Sequence, residues 1–567
     1  METQQDQTIH SQSEVTSLPR DRPFTESEIQ LLLQQKRESL IQELGLASTP
    51  VEHYHKPVEA AFTKQQRAST TILFGGLTWK HERLIEAFTE SLGYRFEALP
   101  TPDIDAFHSG KEFGNNGQCN PTYFTVGNLL EALKKLVESG LNKQQIIDNY
   151  VFFTAGACGP CRFGMYEAEY RLALKNAGFD GFRVLIFQQK GGINQNNQDA
   201  GINLNSTFFI HLLNAFVLGD LVNELAYRIR PYEIVEGETD RVLEASISLL
   251  ADQIKQQYSP SVWLSWVPQS LQNIWLHLAG RQYEDTLQTI AQKFDDIEVD
   301  WLRVKPVVKI TGEFWAQTTE GDGNYKMFSF LEKEQAQVLV EPIGTWITYM
   351  LHQTKQKVRD RRVFTFKTIP HALISQLKLI KFTLAEYLFD RQWRTYVRQL
   401  RGIPHLLINQ YELKKIAHPF YNSRAQGGEG HLEIAKNIYY TENKLCHMVL
   451  SLKPFGCMPS TQSDGVQSSI INQYPEMIFL PLETAGEGAV NAQSRTQMSL
   501  GEARIKANSE FSKAIDNCQH SLSEIQQYIT QHSELRKGML NIPASADCCG
   551  LAANFVRYVD FEMSQGK

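Results

Sequence analysis

Short unbroken apolar runs alternate along this chain with longer stretches whose apolar residues recur three or four positions apart. The first kind predicts buried strands and the second amphipathic helices. From Ser69, TTILFGGL reads as a strand ending in a double glycine, WKHERLIEAFTESLGY as a helix closed by Gly93, and Arg95–Leu99 as the next strand. Strand, helix and strand in that order make a βαβ unit with a right-handed crossover. A helix from about Thr122 to Glu138 follows, then a strand at Tyr150–Phe153, a small-residue loop, a helix and a strand at Phe182–Phe187. From Asn205 to about Arg303 the rhythm is helical throughout. A second α/β series opens with VKPVVKITGEFW, continues through a strand near Val338–Val340 and a helical region from Ala372 to about Leu400, and ends in Met448–Leu452 and MIFLPL. The tail from Leu500 is helical.

These rhythms divide the chain. Residues 1–66 form an N-terminal extension, polar and disordered at first. It then carries a helix capped by Thr25–Glu28, and the spacing of Ile29, Leu32, Leu33, Leu40, Ile41 and Leu44 predicts that this helix packs on the core. Residues 67–204 form a first α/β domain, 205–303 an all-α insertion, 304–499 a second α/β domain and 500–567 a helical C-terminal segment. The fold class expected is α/β, with two Rossmann-like parallel-sheet domains around a shared cleft and helical extensions at both ends.

Composition narrows the function. A net charge of −7 and a pI near 6.1 give no electrostatic case for nucleic acid or anionic membranes. No uninterrupted apolar run approaches the roughly 18 residues of a membrane span. The N-terminal stretch lacks the basic and apolar regions of a signal peptide, so a cytoplasmic location is expected. Gly75-Gly76 invites a nucleotide-loop reading, but no GxGxxG or Walker pattern accompanies it, and tight strand-to-helix turning explains it.

The eight cysteines are too sparse for a disulfide scaffold, yet several lie in Gly/Pro-rich loops instead of core patterns. That placement favours metal binding or redox chemistry. Cys158 and Cys161 form a CxxC pair in TAGACGPCRFG, after a strand and before a helix, where open α/β sheets place their chemistry. Two sulfurs at that spacing can share a metal cluster or form a redox disulfide. Cys-Gly-Pro-Cys is also the thioredoxin signature, but Ala157 stands where thioredoxins usually have Trp, and the loop sits within a longer α/β series. Cys119 precedes a helix in the loop GNNGQCNP, where backbone amides are expected to depress its thiol pKa. Cys457, in KPFGCMP, has a similar setting. Cys446 reads as a core residue in a helical pattern, Cys518 as structural, and the adjacent Cys548-Cys549 as candidates to cap a cluster. Glu313, at a strand end, is either a site carboxylate or a loop-ordering acceptor. Gly427, Gly428 and Gly430 around Glu429 suit a close backbone approach to a ligand or a flexible loop.

Taken together, ILFGGLTWKHERLI, GKEFGNNGQCNPTYFTVGN, TAGACGPCRFGMYEAEYRLALKNAGF, KITGEFW, HLEIAKN and KPFGCMPSTQSDGV resemble the 2-hydroxyacyl-CoA dehydratase and benzoyl-CoA reductase subunit superfamily, in its branch of activase-related proteins. The resemblance spans roughly residues 70–200 and 305–500. It implies an iron–sulfur cluster, [4Fe-4S] or a larger double cluster, on Cys119, Cys158, Cys161 and Cys457, with Cys548 and Cys549 needed for a double one. It implies as partner an ATP-dependent activase of the actin/Hsp70 type that supplies low-potential electrons for reductive or radical chemistry on a small substrate, in a homo- or hetero-oligomer. The chain shows no CoA-binding pattern and no ATP signature of its own. The other readings are a thiol–disulfide oxidoreductase using Cys158 and Cys161, and a non-catalytic electron-transfer or scaffold partner of an activase.

Overall fold

β1 (Thr71–Phe74) is buried at all four positions, the continuous apolar pattern of a strand covered on both faces. It pairs in parallel with β2 (Arg95–Ala98) and β3 (Tyr150–Gly156), and β3 pairs in parallel with β4 (Arg183–Gln188), giving the order β2-β1-β3-β4. The second half repeats this plan. β5 (Val307–Gly312) pairs in parallel with β6 (Gln337–Leu339) and β7 (Met448–Pro454), and β7 with β8 (Phe479–Thr484), in the order β6-β5-β7-β8. The protein is thus mixed α/β with two four-stranded parallel sheets. The computed structural model describes residues 25–44, 59–156, 161–188, 200–256, 281–365, 369–425 and 428–566.

Side-chain alternation tells what covers each face. In the first sheet Ile72, Phe74 and Val151 join a large core with Leu84 and Phe88 of the helix Trp79–Ser91 and with Val217, Leu218 and Leu221 of the helix Ser206–Ile229. Leu73, Phe152 and Val184 face the other way, onto Leu129, Leu130 and Leu133 of the helix Asn120–Glu138 and Tyr170 and Leu174 of the helix Tyr166–Asn176. Burying each such side chain is worth about 1.5–3 kcal/mol. The Ser206–Ile229 helix is the one described helix long and apolar enough to cross a membrane, although 61% of its most apolar window is buried within the fold.

The second sheet is asymmetric. Val308, Ile310, Leu450, Leu452 and Leu482 form an apolar face, whereas Lys309, Thr311, Ser451 and Lys453 are buried on the other. Burying such groups is costly unless they are partnered. Lys309 pairs with Glu341 at 2.7 Å, and the Thr311 hydroxyl donates to Asn437 of the helix Gly430–Glu442 at 3.0 Å. A polar layer therefore lies beneath the loops at the end of this sheet.

The start of the Asn120–Glu138 helix is held by a close crossing with the helix Ile104–Phe113. A Cβ on Gly127 would fall 1.6 Å from the Ala106 carbonyl oxygen, and one on Gly110 would fall 1.9 Å from that of Tyr123. Only glycine permits this approach.

Several expectations change. The helix Glu26–Glu43 forms with the capping box predicted at Thr25 and Glu28, and none of its residues is buried. Residues 1–56 make one unit and 57–567 another. The segment after Cys457 is a helix, Met458–Gln473, started by Pro459 in its first turn; its Ser, Gly and Asp content hides the helix from a reading of apolar period. Cys446 lies in the turn before β7 and not in a helix. The Gly75-Gly76 loop turns back onto the helix that follows: the Leu77 N–H donates to Glu82 at 3.1 Å.

Candidate functional site

Three of the predicted cysteines occupy the same kind of position. Cys119 is the N-cap of the helix Asn120–Glu138, Cys457 that of Met458–Gln473, and Cys161 that of the short 3-10 turn Arg162–Met165 leading into Tyr166–Asn176. Pro121 and Pro459 fix the first turn of the two long helices. None of the three caps is closed by a side-chain hydrogen bond. Cys161 follows β3 and Cys457 follows β7, and β3 and β7 hold the same place in sheets of the same strand order. In the second half the helix ahead of β7, Gly430–Glu442, opens on Glu429.

Hydrogen bonds draw the three loops together. The Asn120 N–H, next to Cys119, donates to the Phe455 carbonyl at 3.0 Å. The Arg162 guanidinium, next to Cys161, donates to the Gly117 carbonyl. Gly456 sits in the left-handed region at φ 74°, and a Cβ there would lie 3.3 Å from Arg162 Nη1 and 3.5 Å from Cys119 Cα. The structure thus brings Cys119, Cys161 and Cys457 to one locus. Cys158 lies outside the described residues. Cys548 and Cys549 are elsewhere, at the far C-terminal segment, and Cys518 donates to the Ala514 carbonyl at 3.1 Å within its own helix end. All described cysteines are free.

Carboxylates share this locus. Burial and then Glu429 push the Glu313 carboxyl up, and burial and then Glu433 push Glu429 up. Glu313 caps the helix Phe314–Thr318 through the Ala316 N–H at 3.0 Å, while Glu429 accepts from the Phe314 N–H at 2.7 Å. Glu433 is held by Ser460 at 2.9 Å and Ser463 at 2.6 Å, both on the helix that Cys457 opens. Glu313 therefore both orders its loop and faces the thiols, since its charge acts on all three.

The thiols depart from expectation. Helix amides were expected to depress Cys119, but burial pushes its pKa up, outweighing hydrogen bonds with Thr122 at 3.2 Å and Tyr166 at 3.1 Å. Burial likewise pushes Cys161 up to about 12, with Glu429 and Glu313 adding to it, and raises Cys457 further. Desolvation disfavours the thiolate more than a cap position favours it.

The donor set suits a multi-iron cluster. The three thiols come from separate loops, Cys119 and Cys457 buried and Cys161 half-buried, and the buried Asn120 Nδ2 beside Cys119 has no hydrogen-bond partner among the described residues, which leaves an N–H free for an acceptor such as a sulfide. A cation placed among the thiols would offset the burial that now keeps them protonated.

Among the described residues, one group is tight enough for a single ion: His447, Glu510 and Cys549, with ligand atoms within 4.8 Å of one another. The protein itself uses both ring nitrogens. His447 Nδ1 accepts from the Val307 N–H at 2.8 Å, and Nε2 meets Glu510 at 3.1 Å. Glu510 also accepts from the N–H groups of Cys549 at 3.2 Å and Gly550 at 3.1 Å. This set clasps the C-terminal segment to the start of β5.

Sequence reasoning missed Glu433, Asn120 and Tyr166 as parts of this locus. Glu433 and Lys436 had a signal, as charged residues set among Leu432, Ile434, Ala435 and Ile438 (HLEIAKNI), and both are buried. No protein-family model matches the chain, and no curated protein matches it.

Proposed function

We propose that the protein is an iron–sulfur protein related to the 2-hydroxyacyl-CoA dehydratase components, built as two Rossmann-like halves around a shared cleft. In this reading it accepts low-potential electrons from an ATP-dependent activase for reductive or radical chemistry on a small substrate. The observation that carries the reading is the hydrogen-bonded convergence of the Cys119 loop with the loops of Cys161 and Cys457, which follow equivalent strands. Cys119, Cys161 and Cys457 would hold the cluster, joined by Cys158 from the same CxxC loop. When bound, a cluster supplies one-electron transfer at a potential set by hydrogen bonds and nearby charge.

The chain's own residues have definite tasks. Asn120 and the open helix caps offer N–H donors that stabilise negative charge at the site. Glu313, half-buried, and Glu429, buried, both have raised pKa, hold a proton close to the thiols and can deliver it to a substrate that gains an electron. The polar layer of Lys436, Gln317 and Glu433 fixes the helix bearing Glu429: Lys436 donates to Gln317 at 3.1 Å.

A thiol–disulfide oxidoreductase using Cys158 and Cys161 is the second reading, and it gives no reason for the loops of Cys119 and Cys457 to meet that of Cys161. The test is anaerobic reconstitution with iron and sulfide, read by metal and sulfide assay and EPR. Substituting Ser for Cys119, Cys161 or Cys457 should each lower bound iron severalfold, while Cys518→Ser should retain it. A colourless, iron-free wild-type protein after reconstitution overturns the reading.

A further inference from the structure

The helix Ile369–Gln399 has two unlike halves. Its C-terminal half is rooted in the large core through Phe389, Trp393 and Tyr396. Its N-terminal half leans on the helix Ile343–Thr365, where Glu386 pairs with Lys355. Ser375, Leu379 and Phe382 share that face with Glu386, and all four are half-buried.

The opposite face is open. Leu373, Leu377, Ile380, Leu384 and Tyr387 follow one another at intervals of four, three, four and three residues, and with Ile374 beside them each is 49–62% exposed. An apolar stripe repeating every 3.5 residues is the seam of a coiled coil, narrower than the face a helix lays on a lipid surface. These side chains leave about 600 Å² of apolar surface uncovered, the upper end of what a monomer shows. Covering it on two copies removes about 1,200 Å², where specific interfaces begin.

The stripe matches a second copy of itself. Laid antiparallel about a two-fold axis level with Lys378 and Leu379, Leu377 of one copy meets Ile380 of the other, and Leu373 meets Leu384. Each pair then occurs twice, as a two-fold contact requires. The charges beside the seam allow this. Lys381 flanks the stripe on one side and comes beside Ile374 of the second copy, over which its methylenes can lie. Gln376 and Thr383 flank the other side and face one another. Lys378 stands further round the helix, Glu386 is held by Lys355, and Asp390 pairs with Arg394 at 2.7 Å. The cations Lys357, Arg359 and Arg361 belong to the helix packed behind. Antiparallel packing also sets the two cores at opposite ends of the seam, whereas parallel packing would bring them abreast. We propose that the protein self-associates through this face, two copies pairing their Ile369–Gln399 helices as an antiparallel coiled coil. The face is independent of the cysteine locus, and it pairs whether or not a cluster is present.

Sedimentation velocity of the full chain tests this, and should show a species of twice the 64.7 kDa chain mass. Leu377→Glu and Ile380→Lys change exposed positions, so each should keep the wild-type circular dichroism. Each should weaken self-association at least tenfold, because the new charge then faces an apolar side chain in two layers. Mixed in equal amounts, the two variants should associate at least tenfold more tightly than either does alone. In the antiparallel register the new carboxylate of one meets the new ammonium of the other, and Leu377 still meets Ile380 in the remaining layer. A wild type that stays monomeric at tens of micromolar overturns the proposal, whether or not it binds phosphatidylglycerol vesicles instead. A dimer that neither substitution weakens, or a mixture that stays apart, overturns it as well.

Discussion

The N–H of Asn120 donates to the carbonyl of Phe455 at 3.0 Å, so the residue after Cys119 is bonded to the residue two before Cys457. Between them in space stands Gly456, left-handed at φ 74°, with Arg162 Nη1 and the Gln118 carbonyl oxygen at 3.3 and 3.4 Å from where a Cβ would be. Gly456→Ala must strain its backbone and also push two loops apart. We expect a loss of about 1–2 kcal/mol in chemical denaturation. Iron retained after reconstitution should fall with it. An unchanged denaturation midpoint would mean that the loops do not constrain one another there.

Glu82 gives a pH dependence away from the thiols. Burial pushes its carboxyl up to about 8, against hydrogen bonds from Leu77 and Gly76 that pull it down. Unfolded, it ionises near its ordinary value of about 4.3. Between those values the folded state binds the proton and the unfolded state does not, so this group costs stability as pH rises, by about 1.4 kcal/mol per unit until about pH 8. Glu82→Gln removes that slope. Denaturation at pH 5 and pH 8 should show the variant gaining on the wild type at the higher pH, and an equal difference at both would refute the assignment.

How much of this was legible in the sequence depended on which physical signal each element carries. Strands such as TILF announce themselves, since a buried parallel strand is largely apolar, VVKITG reads as a strand despite Lys309 and Thr311, and all eight strands stand close to where the sequence predicted them. The helix Met458–Gln473 did not, because its surface period is weak and its start signal is one proline. The Cys119, Cys161 and Cys457 loops were legible from their glycines and prolines. Of their carboxylates Glu313 and the Glu429 loop stood out as candidates, but Glu433 did not, and that the three meet follows only from the tertiary packing of Gly430–Glu442 on β5. The sign of the thiol shifts also escaped, since a helix cap can be read from sequence but the depth of burial cannot.

Lys309 and Glu341 make a buried pair at 2.7 Å, with Lys309 fully buried and Tyr440 and Thr345 donating to the same carboxylate at 3.3 and 2.7 Å. Glu341→Gln leaves an ammonium buried without its counter-charge. The expected cost is about 3–5 kcal/mol in chemical denaturation, whereas replacing both residues together, Lys309→Met with Glu341→Leu, should recover most of it. A double variant as unstable as the single one would mean that packing and not charge governs this layer.

Glu429 opens the helix ahead of β7, and its charge acts on Cys161 and on Glu313. On the proposed iron–sulfur reading, an ionised carboxylate so close to the thiols favours the oxidised, less negative form of the group they hold. Glu429→Gln removes that charge while keeping an oxygen for the Phe314 N–H, which Glu429 accepts at 2.7 Å. The midpoint potential of the reconstituted protein should then rise, on the order of tens of millivolts. Because burial and Glu433 push the Glu429 carboxyl up, the difference should be larger at pH 9, where the wild-type group is ionised, than at pH 6, where it holds its proton. Potentiometric EPR titration at the two pH values reads both effects. A potential that falls, or a shift of equal size at both pH values, would place the Glu429 charge outside the field of the bound group.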